Sequence, residues 1–495
     1  MDFEIKTKEL ENNYLKDRKG KKEFRHTTNK NFKLLPFVTN DSKIRGEKNS
    51  VKKDLTAFQG IASECYRMIH NQEKPDKKLL YKEEIIDKVL TKSQVKAEDK
   101  PQIETILNKV AFDTQGNLFI FDERIFSYIN FQKPTGILEN ISLFFYTIFF
   151  DEKLKSKASK KTSQKSVSNI YYQLILSSLP EVKSNKNNHK GFDIYQNFVP
   201  EITEMFRQDL AFMLEDKSFF IAYFPLLIKY YYFNYLKQLT LSLNHFFDDF
   251  NQSIFFTLEW ETLSKSRISH QNGWSLFESK ARNIFSFVNF FELISYIEYK
   301  GESFFKGNFQ QIKVKIEALD SAEQTELTQK LEEITQFYQQ KMEAHMDKPF
   351  RPGSSWADFE QTYQPRYSLA DAPVHHHLHK LWTAIDYQFI HSERDSPYSR
   401  YQAWITEFCK LNFVRNRGRL GQSLSLDQHT LLFITKLCLG KHPKIRLKNL
   451  WVEYNKRGLF FDPSSQKEIV KLFEKINLLE KKSDSGDAQY VKTIQ

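Results

Sequence analysis

SLDQHTLLFITKLCLGKHPKIRLKNLWVEYNKRGLFFDPSSQKEIVKLFEKI, residues 425–476, decides the fold class of the C-terminal part of the chain. Ser425-x-x-Gln428 has the form of a capping box, and Leu431, Leu432, Ile434, Thr435 and Cys438 follow at helical spacing until Gly440 closes the segment. KIRL is short enough for one strand. Leu447, Leu450, Trp451 and Tyr454 recur at i, i+3, i+4 and i+7, which predicts a second short helix stopped by Gly458. LFFD leads into Pro463 and a second box, Ser465 with Glu468, ahead of the stripe Ile469, Leu472, Phe473 and Ile476. Beyond residue 476, LLEKKSD and AQYVKTI alternate around Ser485-Gly486-Asp487, a hairpin signal. Three short helices, a small strand and a terminal hairpin in this order are the winged form of helix-turn-helix.

Charge sharpens that reading. Lys467, Lys471 and Lys475 recur every fourth residue opposite the apolar stripe, so the third helix presents a cationic row where a recognition helix would face DNA. Lys481 and Lys482 open the expected wing, and Arg415, Arg417 and Arg419 precede the module. The wing tip carries Asp484 and Asp487, which would repel phosphate and suit a self-capped turn or a protein partner.

Outward from this module, the 495-residue chain is about three times the ~100–200 residues of one domain, so two to four cores are expected. Its net charge is +11, its pI about 9.1 and its mean hydropathy −0.57. The charge is concentrated at the ends. Residues 1–54 hold 15 basic against 9 acidic side chains and residues 413–495 hold 16 against 8, leaving the middle slightly acidic. Two basic ends on an aromatic-rich body suit a polyanionic partner. Cys65, Cys409 and Cys438 are odd in number and far apart, so no disulfide framework or zinc knuckle is expected and a reducing cytoplasm fits. The N-terminus lacks the apolar run of a secretory signal. FFIAYFPLLI, residues 219–228, is too short to span a bilayer and reads as buried helix, so no membrane partner is expected.

The predicted architecture is mainly α, a multi-domain helical body with a small N-terminal α+β region and the C-terminal winged-helix module. Residues 1–54 form a basic, partly disordered arm, and 55–151 a small α+β domain with a hairpin at Gln115-Gly116-Asn117. Residues 152–169 are a Lys/Ser-rich linker, 170–348 a helical bundle, 349–412 a loop-rich connector with helices, and 413–495 the module.

Signals for chemistry are sparse. GxxxxGK[ST], GxGxxG and GxSxG are absent, so neither a cofactor nor ATP has a visible site. His375, His376, His377 and His379 cluster, and on a helix His375 and His379 would share a face as a zinc pair does, with no third ligand placed. Glu278-Ser279-Lys280 and Glu298-Tyr299-Lys300 match the carboxylate-x-Lys pairs of metal-dependent nucleases, yet both fall in helical-looking stretches.

RNRGRLGQSLSLDQHTLLFITKLCLG, LWVEYNKRGLFFDPSSQKEIV and the ending SDSGDAQYVK, Ser483 to Lys492, resemble the bacterial family called DNA phosphorothioation-dependent restriction protein DptG. The resemblance covers about the last 85 residues. It implies a subunit of a cytoplasmic defence system that attacks DNA lacking the host's sulfur-for-oxygen backbone mark, working beside an ATPase subunit and a larger translocase-like subunit. No catalytic residue is carried over. The expected role is therefore double-stranded DNA binding and assembly without intrinsic catalysis. The alternatives are a metal-dependent nuclease subunit and a winged helix that docks only protein.

Overall fold

A computed structural model of the chain describes residues 2–26, 32–37, 50–76, 81–113, 116, 118–131, 136–161, 169–185, 195–249, 252–481 and 489–493. The molecule is mainly helical and organised around one helix, Lys217–His245. Asp216 caps its start by accepting from the Phe219 N–H, and Pro225 sits within its third turn. Apolar residues occupy every face of this helix, the pattern of an element surrounded by protein. Phe224, Leu227, Ile228, Tyr230, Tyr231, Phe233, Tyr235 and Leu236 are fully buried. Helices Gln59–Ile69, Pro200–Met213, Trp274–Ala281 and Ile284–Ile294 pack around it. No helix among the described residues is long and apolar enough to cross a membrane.

Buried apolar side chains fall into two clusters. The larger runs from Phe3 to Val491. The smaller, from Ile85 to Leu179, lies between helices Lys82–Lys92, Lys100–Ala111 and Ile170–Ser178. The expected N-terminal arm differs most from its composition. Strand Phe3–Ile5 pairs antiparallel with Ile297–Tyr299, and Phe3, Leu10, Tyr14, Phe24, Leu34 and Phe37 are buried in the larger cluster. The lysines of this segment mask an apolar residue every few positions, enough to dock its described part against the body. The predicted 152–169 linker starts as helix Glu152–Lys161, with Leu154 and Ala158 buried and Lys157 donating to the Ala211 carbonyl. The expected hairpin near Gly116 amounts to one bridge, Phe112 with Leu118; Gln115 and Asn117 lie outside the described residues. Helix Ser321–His345 buries one stripe, Leu327, Leu331, Ile334, Tyr338 and Met342, against Pro373–His391.

The C-terminal elements follow the expected order: helix Gln428–Leu439, strand Lys444–Arg446, helix Leu447–Lys456, helix Pro463–Lys475, strands Leu479–Lys481 and Gln489–Lys492. The three strands form one antiparallel sheet, with Gln489–Lys492 in the middle. Both predicted capping boxes are displaced. Asp427, not Ser425, caps the first helix, because Ser425 belongs to strand Gln422–Leu426. Asp462 caps the third helix, placing Pro463 at its first position and Ser465 inside it.

A second sheet escaped the sequence reading. Its strand order is Phe460–Phe461, Phe255–Leu258, Gln422–Leu426, Val414–Asn416, the first two neighbouring pairs parallel and the last antiparallel. One strand comes from the body and three from the C-terminal segment. The module is thus sewn into the body by main-chain hydrogen bonds.

Candidate nucleic-acid interface

The turn between helices Leu447–Lys456 and Pro463–Lys475 enters the body. Arg457 grips Asp209 through Nε to Oδ2 at 2.9 Å and Nη2 to Oδ1 at 2.6 Å, and both residues are buried. Tyr231 donates to the same carboxylate at 2.5 Å, Glu453 takes the remaining guanidinium nitrogen at 2.8 Å, and the Tyr230 hydroxyl donates to the Arg457 carbonyl at 2.8 Å. Lys237, fully enclosed on the central helix, donates to the Gly458 carbonyl and lies over the ring of Phe256. Its burial pulls its pKa down to about 7. Gly458 has φ +71°, and a Cβ there would lie 2.8 Å from Asn234 Oδ1 and 3.2 Å from Lys237 Nζ, so glycine is required on two grounds.

The N-terminal end of helix Pro463–Lys475 is held as firmly. Arg267 meets the Asp462 carboxylate at 2.9 and 2.7 Å, the Ser269 hydroxyl donates to it at 2.7 Å, and it accepts from the Ser465 N–H at 2.9 Å. The Arg267 guanidinium and these donors offset the desolvation of Asp462 and hold its carboxyl well below the usual carboxylate range. Glu261 completes the joint, accepting from Ser465 Oγ at 2.9 Å and Arg267 Nη2 at 3.2 Å. In helix-turn-helix docking the N-terminal residues of the recognition helix reach base edges. In helix Pro463–Lys475 the body segment 261–269 engages part of the N-terminal end, so what the helix exposes most openly is its lysine row.

That row is on the outside. Lys467, Lys471 and Lys475 are exposed, and two helical turns separate the outer pair, about 12 Å along the axis. Lys471 pairs with Glu468 at 2.7 Å and Lys481 with Glu474 at 2.5 Å. Lys482, Asp484 and Asp487 lie outside the described residues. Of the three arginines before the module, only two face solvent. Arg419 is exposed, and Arg415 is half-exposed with Glu259 at 3.5 Å. Arg417 is corrected from a DNA contact to an internal brace. Its guanidinium donates to the hydroxyls of Ser423, Thr257 and Ser425 and to the carbonyls of Leu258, Glu259 and Glu261, the shortest at 2.6 Å. Alternation along RNRGR could not show this, because four of the six acceptors come from residues 257–261, about 160 residues away.

Sequence reasoning also missed a basic sheet face. In the terminal sheet Ile445 and Val491 are paired and turn inward, so their neighbours Lys444, Arg446, Tyr490 and Lys492 occupy the outer face, with Lys444 directly opposite Lys492. Lys444 pairs with Glu480 at 2.7 Å; Arg446 and Lys492 are exposed. The signal was the Lys-Ile-Arg alternation, which puts both cations on one side of a strand.

The catalytic alternatives find little geometry. His375 packs its ring edge-on to Phe247, and His379 shares a hydrogen bond with Tyr363 Oη at 3.2 Å, with burial lowering its pKa to about 4. His376 bonds the Tyr367 carbonyl and His377 meets Glu332 at 3.3 Å. Among the described residues no group of three or more His, Cys, Asp or Glu could hold a metal ion. Glu278 pairs with Lys410 on a helix. Glu298-Tyr299-Lys300, expected in a helix, lies on strand Ile297–Tyr299 and its turn, where Lys6 and Asp2 bind the two charges. All three cysteines are buried, which raises their thiol pKa values and keeps them unreactive.

No protein-family model matches the chain, and no curated protein does.

Proposed function

We propose that residues 413–495 are a winged-helix module that holds double-stranded DNA by its phosphates, within a cytoplasmic subunit of a bacterial phosphorothioation-dependent restriction complex. The chain supplies DNA contact and assembly; ATP-driven work belongs to its ATPase and translocase-like partners. The observation that carries the DNA part is the exposed row Lys467, Lys471 and Lys475 on a helix whose other end is braced by Arg267. The resemblance of the last 85 residues to the DptG family carries the restriction part. With the helix N-terminus engaged by segment 261–269, phosphate contact dominates over base reading, and binding is sequence-tolerant.

The test is fluorescence-anisotropy titration of matched plain and phosphorothioated duplexes over a salt series, with the full chain and with K467E/K471E/K475E. Each lost phosphate contact removes roughly 0.9 from the slope of log K against log salt. The triple variant should bind more weakly with a slope flatter by about 2 to 3; unchanged affinity would remove the row from the interface. A difference between the two duplexes would place mark sensing in this subunit. If the full chain binds neither duplex, the module docks protein instead.

A further inference from the structure

Trp260 stands just beyond strand Phe255–Leu258 with 41% of its surface exposed. The loop that carries it is unusually well fixed. Arg417 takes the carbonyls of Leu258, Glu259 and Glu261, and Arg267 takes that of Thr262 at 2.8 Å. Two half-buried guanidinium hubs therefore hold the main chain on both sides of one exposed indole. Ordering costs are met before any ligand arrives, which favours binding. The surroundings carry exposed cations beside the flanking Glu259 and Glu261. Arg415 is half-exposed beside Glu259, Arg419 is exposed at the following turn, and Lys265 is exposed on the same loop as Trp260. A rigid aromatic face among arginines suits a nucleobase with its flanking phosphates. A base inside a duplex has both faces covered by its neighbours, so a surface indole can stack only on an unpaired one.

We propose that Trp260 is a stacking platform for an unpaired base of DNA, with Arg415 and Arg419 holding the adjoining phosphates. The proposal deepens the reading of the chain as a DNA-binding subunit, adding a single-strand site beside the duplex-holding lysine row. A protein in contact with both would sit where a duplex opens or ends.

The experiment uses the full chain and a fluorescein-labelled oligo(dT) 12-mer, with a plain duplex measured in parallel. W260A should weaken 12-mer binding about tenfold, the scale of one lost base stack. W260F, which keeps an aromatic face, should recover most of that affinity, and R415A/R419A should flatten the salt slope for the 12-mer. Duplex affinity should change less than twofold in W260A. Equal 12-mer affinity of W260A, W260F and the parent protein, or no 12-mer binding at all, would overturn the proposal. Failure of the underlying reading looks different: there the K467E/K471E/K475E variant leaves duplex binding untouched, whatever W260A does to the single strand.

Discussion

Helix Pro463–Lys475 is charged at both ends, and the two ends obey opposite energetics. At its start Asp462, Arg267, Glu261 and Ser465 are shielded from water and satisfy one another. At its far end Lys471 and Lys481 reach Glu468 and Glu474 with most of their surface in solvent. An exposed pair is worth about 0–1 kcal/mol because water competes for both partners, whereas breaking a buried one strands a desolvated charge. The same residue types therefore seat the C-terminal segment on one side and face solvent on the other. The charge count of residues 413–495 pools two populations in different surroundings.

The largest expected effect belongs to the seated side. Asp209→Ala leaves Arg457 buried without its carboxylate and should cost about 3–5 kcal/mol, read as a drop in the denaturant midpoint at constant slope. Replacing both partners with apolar residues, D209L/R457M, should recover part of that loss. A cost below 1 kcal/mol for D209A would mean that the two sides do not differ in kind. Gly458→Ala comes next. It forces a side chain into a left-handed backbone and against Asn234 and Lys237, and should lose about 1–3 kcal/mol in the same assay.

These seats explain what was legible in the sequence and what was not. The module's helices, its strands and the stops at Gly440 and Gly458 are local, set by periodicity and by glycines at positive φ. The caps shifted by two or three residues because Asp427 and Asp462 accept from the Thr430 and Ser465 N–H groups, while Ser425 lies in a strand and Ser465 inside the helix. The anchoring of Arg417 and Arg457 was not legible, since nothing within ten residues announces Thr257 or Asp209. Parallel pairing of Phe255–Leu258 with Gln422–Leu426 joins segments far apart in the chain and leaves no local trace. The exposed lysine row, by contrast, needed only the helix period. Sequence reading succeeded where water is the partner and failed where the partner is distant protein.

A pH series sharpens the comparison from the middle of the joint. Lys237 has its pKa pulled to about 7, while the unfolded side chain titrates near 10.4. Between these values the unfolded chain holds a proton that the folded protein has released, so this group makes stability rise with pH, by up to about 1.4 kcal/mol per unit. Its full penalty applies below pH 7. Lys237→Met removes the term, so chemical denaturation between pH 7 and 9 should show a flatter pH dependence for the variant. A parallel pair of curves would mean that the ammonium is solvated where it stands.

The smallest effect is the most discriminating. Glu468→Ala breaks only the exposed pair with Lys471 and should change stability by less than about 0.5 kcal/mol. If the lysine row faces duplex DNA, the same substitution removes a carboxylate that competes with phosphate for Lys471, so duplex affinity should rise, by about twofold to fivefold for a pair worth a few tenths to 1 kcal/mol. A structural salt bridge would give the opposite pairing, lower stability with unchanged binding. One substitution thus separates a cation held for the fold from a cation held for a partner, without assuming which partner subunits are present.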